Sequence, residues 1–406
     1  MYDFDEIIDR RHTNAVSTDG FRREMFHAGA EMTFPFRDED FIRMWVADMD
    51  FATPEVVVQA MRERLDRRIF GYTRAFDAGY YEAFSAWCRS RYGWSFPREE
   101  LMMGSGVVPA LYELVAALCR PEDQVLFLTP SYGPFRGAAE ASRRTWVGSD
   151  LRCENGEYTV DFADLERKAA DPRTTVLIFC NPHNPTGRIW TEEELRRVGE
   201  IAVRHDLWLI SDEIHCDLLR SGARHVPLGK VLPDYEKLVT CMAPSKTFNM
   251  AGLMISNVLI RSRALRHTWR TVHSGTDNPL SLAAAQAAYE QGGPWLEDLL
   301  VYLDENFRFV RDYLAQHLPL ARFRIPQATY LAWVDLSRYF RPGEDLARFL
   351  AYQAGVLVDD GSMFVRNAEG FVRLNLAAPR SVVAEGLRRI CWAVNTKIQY
   401  TGLPQG

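Results

Sequence analysis

The sequence predicts an α/β fold: a large domain on a mostly parallel, seven-stranded sheet, followed by a smaller α+β domain. Three observations predict it. Seven short apolar runs recur between residues 101 and 260, helical patterns separate most of them, and the character of the chain changes after about residue 290.

The runs are "LMMG" (101–104), "QVLFLT" (124–129), "RTWVG" (144–148), "TVLIFC" (175–180), "LWLIS" (207–211), "KLVTC" (237–241) and "ISNVLI" (255–260). Several are apolar on both faces, which marks strands covered by helices on both sides. Between them lie helical stretches such as "VPALYELVAALC" and "TEEELRRVGEIAVRH"; Thr191 and Glu194 open the second in capping-box spacing. Alternation of this kind builds a mostly parallel sheet. Beyond Gly292-Gly293-Pro294 a long amphipathic helix, "WLEDLLVYLDENFRFVRDYLAQHL", precedes strands and helices in α+β order. The expected organisation is therefore a large domain over 46–290 and a small one over 291–406, with residues 1–45 packed against the latter.

Bulk properties narrow the function. With 406 residues, 47% hydrophobic and 25% charged, the chain reads as a two-domain globular protein. A net charge of −6 argues against nucleic acid or an acidic membrane as principal partner. No apolar run approaches the roughly 18 residues that span a bilayer, and the start, "MYDFDEIIDRRHTN", has no secretory pattern. Seven scattered cysteines without a CxxC suit a reducing, cytoplasmic setting.

The unusual polar residues fall at strand ends, where open α/β sheets bind ligands. "GSGVVPALYELV" leaves a strand and opens a helix, so the N–H groups of Gly106, Val107 and Val108 either cup a phosphate or make an ordinary glycine-rich turn. "TPSYGPF" offers Tyr132 as a stacking face or as a plain turn tyrosine. "CNPHNPTGRIW" carries two Asn-Pro pairs where a turn needs one, which favours a role for Asn184. Asp212 in "SDEIHCDL" ends a buried run and needs a partner. On an extended chain Asp212 and Ile214 point one way and Glu213 and His215 the other, so a metal site is not expected. Arg373, in the apolar "GFVRLNLAAPR", wants a carboxylate from the protein or from a substrate.

Lys246, in "MAPSKTFNMAG", is the most telling residue. Only five of the 48 basic residues are lysine, yet one is kept after an apolar strand with no adjacent carboxylate. Lysine can shed its proton when desolvated and act as a nucleophilic amine, which arginine cannot. A snorkelling or ion-paired lysine is the alternative. One chemistry uses all of these parts: a planar aromatic aldehyde with a phosphate arm, pyridoxal 5′-phosphate (PLP). Lys246 would hold it as an imine, Asp212 would keep its ring nitrogen protonated, and Asn184 would donate to its phenolate oxygen. Tyr132 would stack, residues 106–108 would hold the phosphate, and Arg373 would take an amino acid's carboxylate.

The order and spacing of "GSGVVPAL", "TPSYGPF", "CNPHNPTGRIW", "SDEIHCDL", "APSKTFNMAGL" and "VRLNLAAPRS" resemble fold-type I PLP enzymes of the aminotransferase superfamily. Within it the chain looks most like the MalY/PatB group of cystathionine β-lyases (cysteine C–S lyases). "WVADMDF", "GVVPAL" and "SDEIH" are the pieces more specific to that group, and the likeness covers nearly the whole chain. The resemblance implies a homodimer in which Tyr72 reaches the cofactor phosphate of the neighbouring subunit. It implies that Ile214 packs under the ring opposite Tyr132, that Ser245 helps at the phosphate and that Arg373 binds the substrate α-carboxylate. His215 stands where many aminotransferases have a tyrosine at the phenolate, and its role is open. Three departures are Ser105 for an expected proline, "SYGPF" for Tyr-Pro-Pro, and Ala378 for a cysteine. The expected activity is β-elimination of S-substituted cysteines such as L-cystathionine, with transamination as the alternative on the same residues. A PLP-sensing regulator joined to a DNA-binding domain fits less well, because PLP-motif sequence begins near residue 45.

Overall fold

A computed structural model describes residues 2–273 and 277–402. In chain order its strands are β1 (Ile42–Met44), β2 (Leu101–Gly104), β3 (Gln124–Thr129), the two-residue β4 (Ser131–Tyr132), β5 (Thr145–Asp150), the hairpin β6 (Arg152–Glu154) and β7 (Glu157–Thr159), and β8 (Thr174–Cys180). They continue with β9 (Trp208–Asp212), β10 (Leu238–Met242), β11 (Ser256–Ile260), β12 (Leu331–Asp335), β13 (Val356–Asp360), the short β14 (Phe364–Val365) and β15 (Phe371–Asn375).

All seven apolar runs enter one sheet, in the order β2-β11-β10-β9-β8-β3-β5. Only β11 runs against the others. Side-chain alternation explains why these runs are apolar on both faces. Val125 and Phe127 pack toward the helix Val107–Leu118, while Leu126 and Leu128 join the cluster of Leu195, Val198 and Ile201 from the helix Glu192–Arg204. The second helix starts on the expected capping box: Glu194 N–H donates to Thr191 Oγ1 (3.2 Å) and Thr191 N–H to Glu194 Oε2 (2.7 Å).

A second sheet, β1-β13-β15-β12, takes its strands from both ends of the chain. β1 lies parallel to β13, and the indole N–H of Trp45 just beyond it donates to Ser17 O at 3.1 Å. The helix Gly293–His317 joins the two cores. Trp295, Leu296, Leu299 and Leu303 pack with the first, and Phe307, Val310 and Leu314 with the second. Among the described residues no helix is long and apolar enough to cross a membrane.

Candidate active site

Register places the site. β8, β9 and β10 run parallel with Cys180, Asp212 and Cys241 side by side, so three chain segments leave the sheet at the same level. The first carries Asn184, the second Ile214 and His215, the third Ser245 and Lys246. From β2 the chain passes Ser105 and Gly106 into the helix Val107–Leu118, and from β3 it reaches Tyr132. These segments enclose a cavity of about 210 Å³ lined by Gly106, Val107, Val108, Tyr132, Asn184, Asp212, Ile214, His215, Ser245 and Lys246. Apart from Arg373, the residues that the sequence singled out at strand ends are thus brought to one place.

The cavity has two chemically different regions. The first N–H groups of the helix Val107–Leu118 have no intrahelical partner and, with the helix dipole, suit an anion. Gly106, at φ +146°, makes the approach to that helix, and a side chain there would be strained. Elsewhere stand an amine and a carboxylate. Lys246 Nζ donates to the backbone oxygen of Ala47 at 2.6 Å. Burial lowers its pKa to about 8, an effect that the negative charges of Asp48 and Asp212 only partly offset. Asp212 accepts from the Ile214 N–H at 3.2 Å, and burial pushes its carboxyl up to about 7. At neutral pH both groups stand near their titration points, poised to exchange protons. A phosphate cup, a deprotonatable amine, a carboxyl able to face a ring nitrogen, and the Tyr132 and Ile214 side chains on the walls fit a PLP-like group.

One placement differs from simple alternation, although it agrees with the position that the resemblance implies. His215 lines the cavity together with Asp212 and Ile214, where simple alternation turned it away. The reason is that the strand ends at Asp212 and the chain then turns, with Cys216 N–H donating to Glu213 O and Leu218 N–H to His215 O, both at 3.1 Å. His215 is buried beside the charges of Lys246 and Arg373, its pKa falls to about 3, and its Nδ1 has no partner among the described residues. Glu213 does turn away; it is buried against His225 Nε2 (2.7 Å), Ser211 Oγ (2.7 Å) and Leu228 N (2.9 Å).

Arg373 and Tyr72 lie outside the cavity wall. Arg373 stands behind Asn184, donating Nη1 to Asn184 Oδ1 at 3.0 Å and pairing through Nη2 with the buried carboxylate of Asp359. Tyr72 is 96% exposed and touches no part of its own chain's cavity. Sequence reasoning missed Tyr330, Ala47 and Asp359. Tyr330 is fully buried and donates to the same Ala47 oxygen as Lys246, at 2.7 Å. Asp359 follows the apolar "VLV" much as Asp212 follows "LWLIS", so a similar signal was present.

The chain has well-characterised likenesses. The sequence model of the family described as aminotransferase class I and II matches residues 39–390. The cystathionine β-lyase PatB of Bacillus subtilis is 39% identical over 356 residues, 86% of this chain and 92% of that one. Protein MalY of Escherichia coli is 30% identical over 399 residues, 97% of this chain and 99% of that one. Among solved structures, the PLP-bound C–S lyase from Staphylococcus hominis is 49% identical and superposes with a TM-score of 0.93 over 97% of this chain and 98% of that one.

Proposed function

The chain belongs to the aminotransferase class I and II family, and from that premise we propose that it cleaves the Cβ–S bond of S-substituted L-cysteines to thiol, pyruvate and ammonia. It is a PLP-dependent carbon–sulfur lyase of the cystathionine β-lyase type. The observation that carries this reading is the single cavity joining the buried amine of Lys246 to the carboxyl of Asp212 and a helix N-terminus.

PLP, when bound, supplies an electron sink that stabilises negative charge at the amino acid's Cα. Lys246 is the residue that would hold the cofactor covalently, and its amine, when free, would serve as the base for the Cα proton. A pKa near 8 makes that amine a competent base at neutral pH without leaving it permanently charged. Asp212 would hold the proton of the cofactor's ring nitrogen, and an ion pair with it would oppose the burial that pushes this carboxyl up to about 7. Asn184 spends Oδ1 on Arg373, which leaves its Nδ2 donors for the phenolate oxygen. The N–H groups of Gly106, Val107 and Val108, with Ser245, hold the phosphate. Tyr132 and Ile214 confine the ring, and Arg373 takes the α-carboxylate. The thiol leaves from Cβ, and the enamine released takes up water to give pyruvate and ammonia.

Tyr72 serves the phosphate of a second copy of the chain, so the working unit is a homodimer. The exposure of Ile69 (73%) and Phe76 (80%) beside Tyr72 supports this. The division into a large domain over 46–290 and a small one over 291–406, with 1–45 packed on the latter, is part of the reading and is supported by the pairing of β1 with β13. Seven free cysteines, six of them buried, suit the cytoplasm.

The test is to incubate the PLP-loaded protein with L-cystathionine in the absence of any keto acid and to assay pyruvate and free thiol together. Multiple-turnover release of both in equal amounts is expected. Activity that appears only on adding a keto acid would instead make the protein an aminotransferase.

A further inference from the structure

The arginine assigned to the substrate's carboxylate already carries a carboxylate. Arg373, 5% exposed on β15, faces Asp359 across the β13–β15 register. Its Nη2 pairs with Asp359 and lies 3.5 Å from Trp45 O, its Nη1 bonds Asn184, and its guanidinium carbon stands 5.1 Å from the Phe364 ring centroid. The Nε–H is buried and has no partner among the described residues. Asp359 is buried too, and Arg373 is its one cationic partner among them. The pair is therefore close to neutral, with an unused donor on the arginine and a fixed negative charge within one guanidinium width of it.

A ligand carboxylate arriving at this arginine meets the Asp359 carboxyl in a poorly solvated place where charges are weakly screened; burial raises that carboxyl's pKa, while the Arg373 charge favours its ionised form. We propose that Asp359 sets the affinity of the substrate site: it shares Arg373 with the incoming α-carboxylate, so the contact common to all amino acids is held weak and the remainder of the substrate has to provide the affinity. This rests on the reading that Arg373 binds the α-carboxylate. The consequence is a higher threshold for occupancy: every amino acid is weakened alike, so one that has only this contact needs a higher concentration to fill the site, while a conjugate with further apolar or polar contacts still binds.

Asp359→Asn tests it, because asparagine has the same shape and its Oδ1 still accepts from Nη2, so Arg373 stays oriented while the charge is removed. L-Alanine, which has no leaving group at Cβ, serves as probe, and ethylamine, which lacks the carboxylate, as control. Binding of each to the holoenzyme is read from the cofactor's absorption spectrum, independently of turnover. D359N is expected to bind L-alanine about tenfold or more tightly, to leave ethylamine unaltered, and to lower KM for L-cystathionine with the change carried by KM rather than kcat. Unchanged or weaker L-alanine binding in D359N overturns the proposal and leaves Asp359 as a brace for the arginine. The doubly neutral R373Q/D359N, which buries no lone charge, separates this from failure of the underlying reading. Loss of the preference for L-alanine over ethylamine in that variant upholds Arg373 as the carboxylate site. Retention of the preference removes that assignment and the proposal with it.

Discussion

Lys246 and Ala47, 199 residues apart in sequence, are joined by a hydrogen bond of 2.6 Å from the lysine Nζ to the backbone oxygen of Ala47. Tyr330, 283 residues from Ala47, donates to that same oxygen at 2.7 Å. The one lysine amine among the described residues lining the cavity is therefore held by a neutral acceptor, one that can serve it charged or uncharged, and a buried phenol shares that acceptor's lone pairs.

Protonation of Lys246 is expected to control capture of the cofactor. The neutral amine attacks the aldehyde, and burial sets its pKa near 8, so the rate at which apoprotein forms the imine should climb with pH and level off above about 8. Stopped-flow absorbance of PLP mixed with apoprotein measures this. Lys246→Ala should show neither the imine band nor turnover; full activity in that variant would falsify the mechanism.

Tyr330→Phe should shift the same profile upward. With the phenol gone, the Ala47 oxygen is wholly available to the lysine, and the ammonium gains more from it than the amine does. A plateau reached at higher pH than in the wild type is the expected result. An unmoved profile would mean that the phenol serves packing alone.

Asp212 makes apoprotein stability depend on pH. Its folded carboxyl titrates near 7 against an ordinary 3.8, because burial disfavours the charge. Between those values the folded protein keeps a proton that the unfolded chain has released. The contribution is thus fully present below pH 4 and is lost as pH rises through 7. Some three pKa units correspond to about 4 kcal/mol. Asp212→Asn apoprotein should therefore gain on the wild type by roughly that amount between pH 4 and pH 8 in urea titrations. The same substitution should cut turnover of the loaded enzyme by about 10² or more, through loss of the charge facing the ring nitrogen.

Most of this site was readable because its signals are local. An apolar run that ends in Asp212, Tyr132 or Lys246 announces a polar group at a strand end, and a parallel sheet gathers such ends without further instruction. The strand order and register that put Asp212 between Cys180 and Cys241 follow from packing two apolar faces at once. What could not be read has no local signal. The Ala47 acceptor is a backbone atom, which any residue could supply. Tyr330 looks like one more aromatic before an apolar strand until the fold brings it beside Lys246. Arg373 left two partners open, and only the β13–β15 pairing shows that one of them is already in place. Period-two alternation misplaced His215 because it was carried three residues past the last residue of β9.

The Arg373–Asp359 pair should behave as a unit toward unfolding. Both groups are buried, so removing the arginine alone strands a carboxylate without a counter-charge. Arg373→Gln is expected to cost about 3–5 kcal/mol in equilibrium urea unfolding, and R373Q/D359N to recover most of it. Equal losses in the single and double variants would show that packing of the long side chain, not its charge, is what the fold uses.

Tyr72 gives the last prediction, because it connects assembly to cofactor retention. A tyrosine 96% exposed, next to Ile69, Phe70 and Phe76, contributes nothing to its own subunit's cavity. If it completes the phosphate site of a second copy, removing its hydroxyl loses one hydrogen bond to a charged group, on the order of 1.5–3 kcal/mol. Tyr72→Phe holoenzyme should then release PLP on dialysis with a Kd raised by about tenfold or more, while sedimentation equilibrium still shows a dimer. Dilution of the wild type below its dimer Kd should release PLP in step with the appearance of monomer. A monomer that keeps its PLP, together with Tyr72→Phe protein that binds it as tightly as the wild type, would confine the phosphate site to one chain and assign the exposed aromatic cluster some other partner.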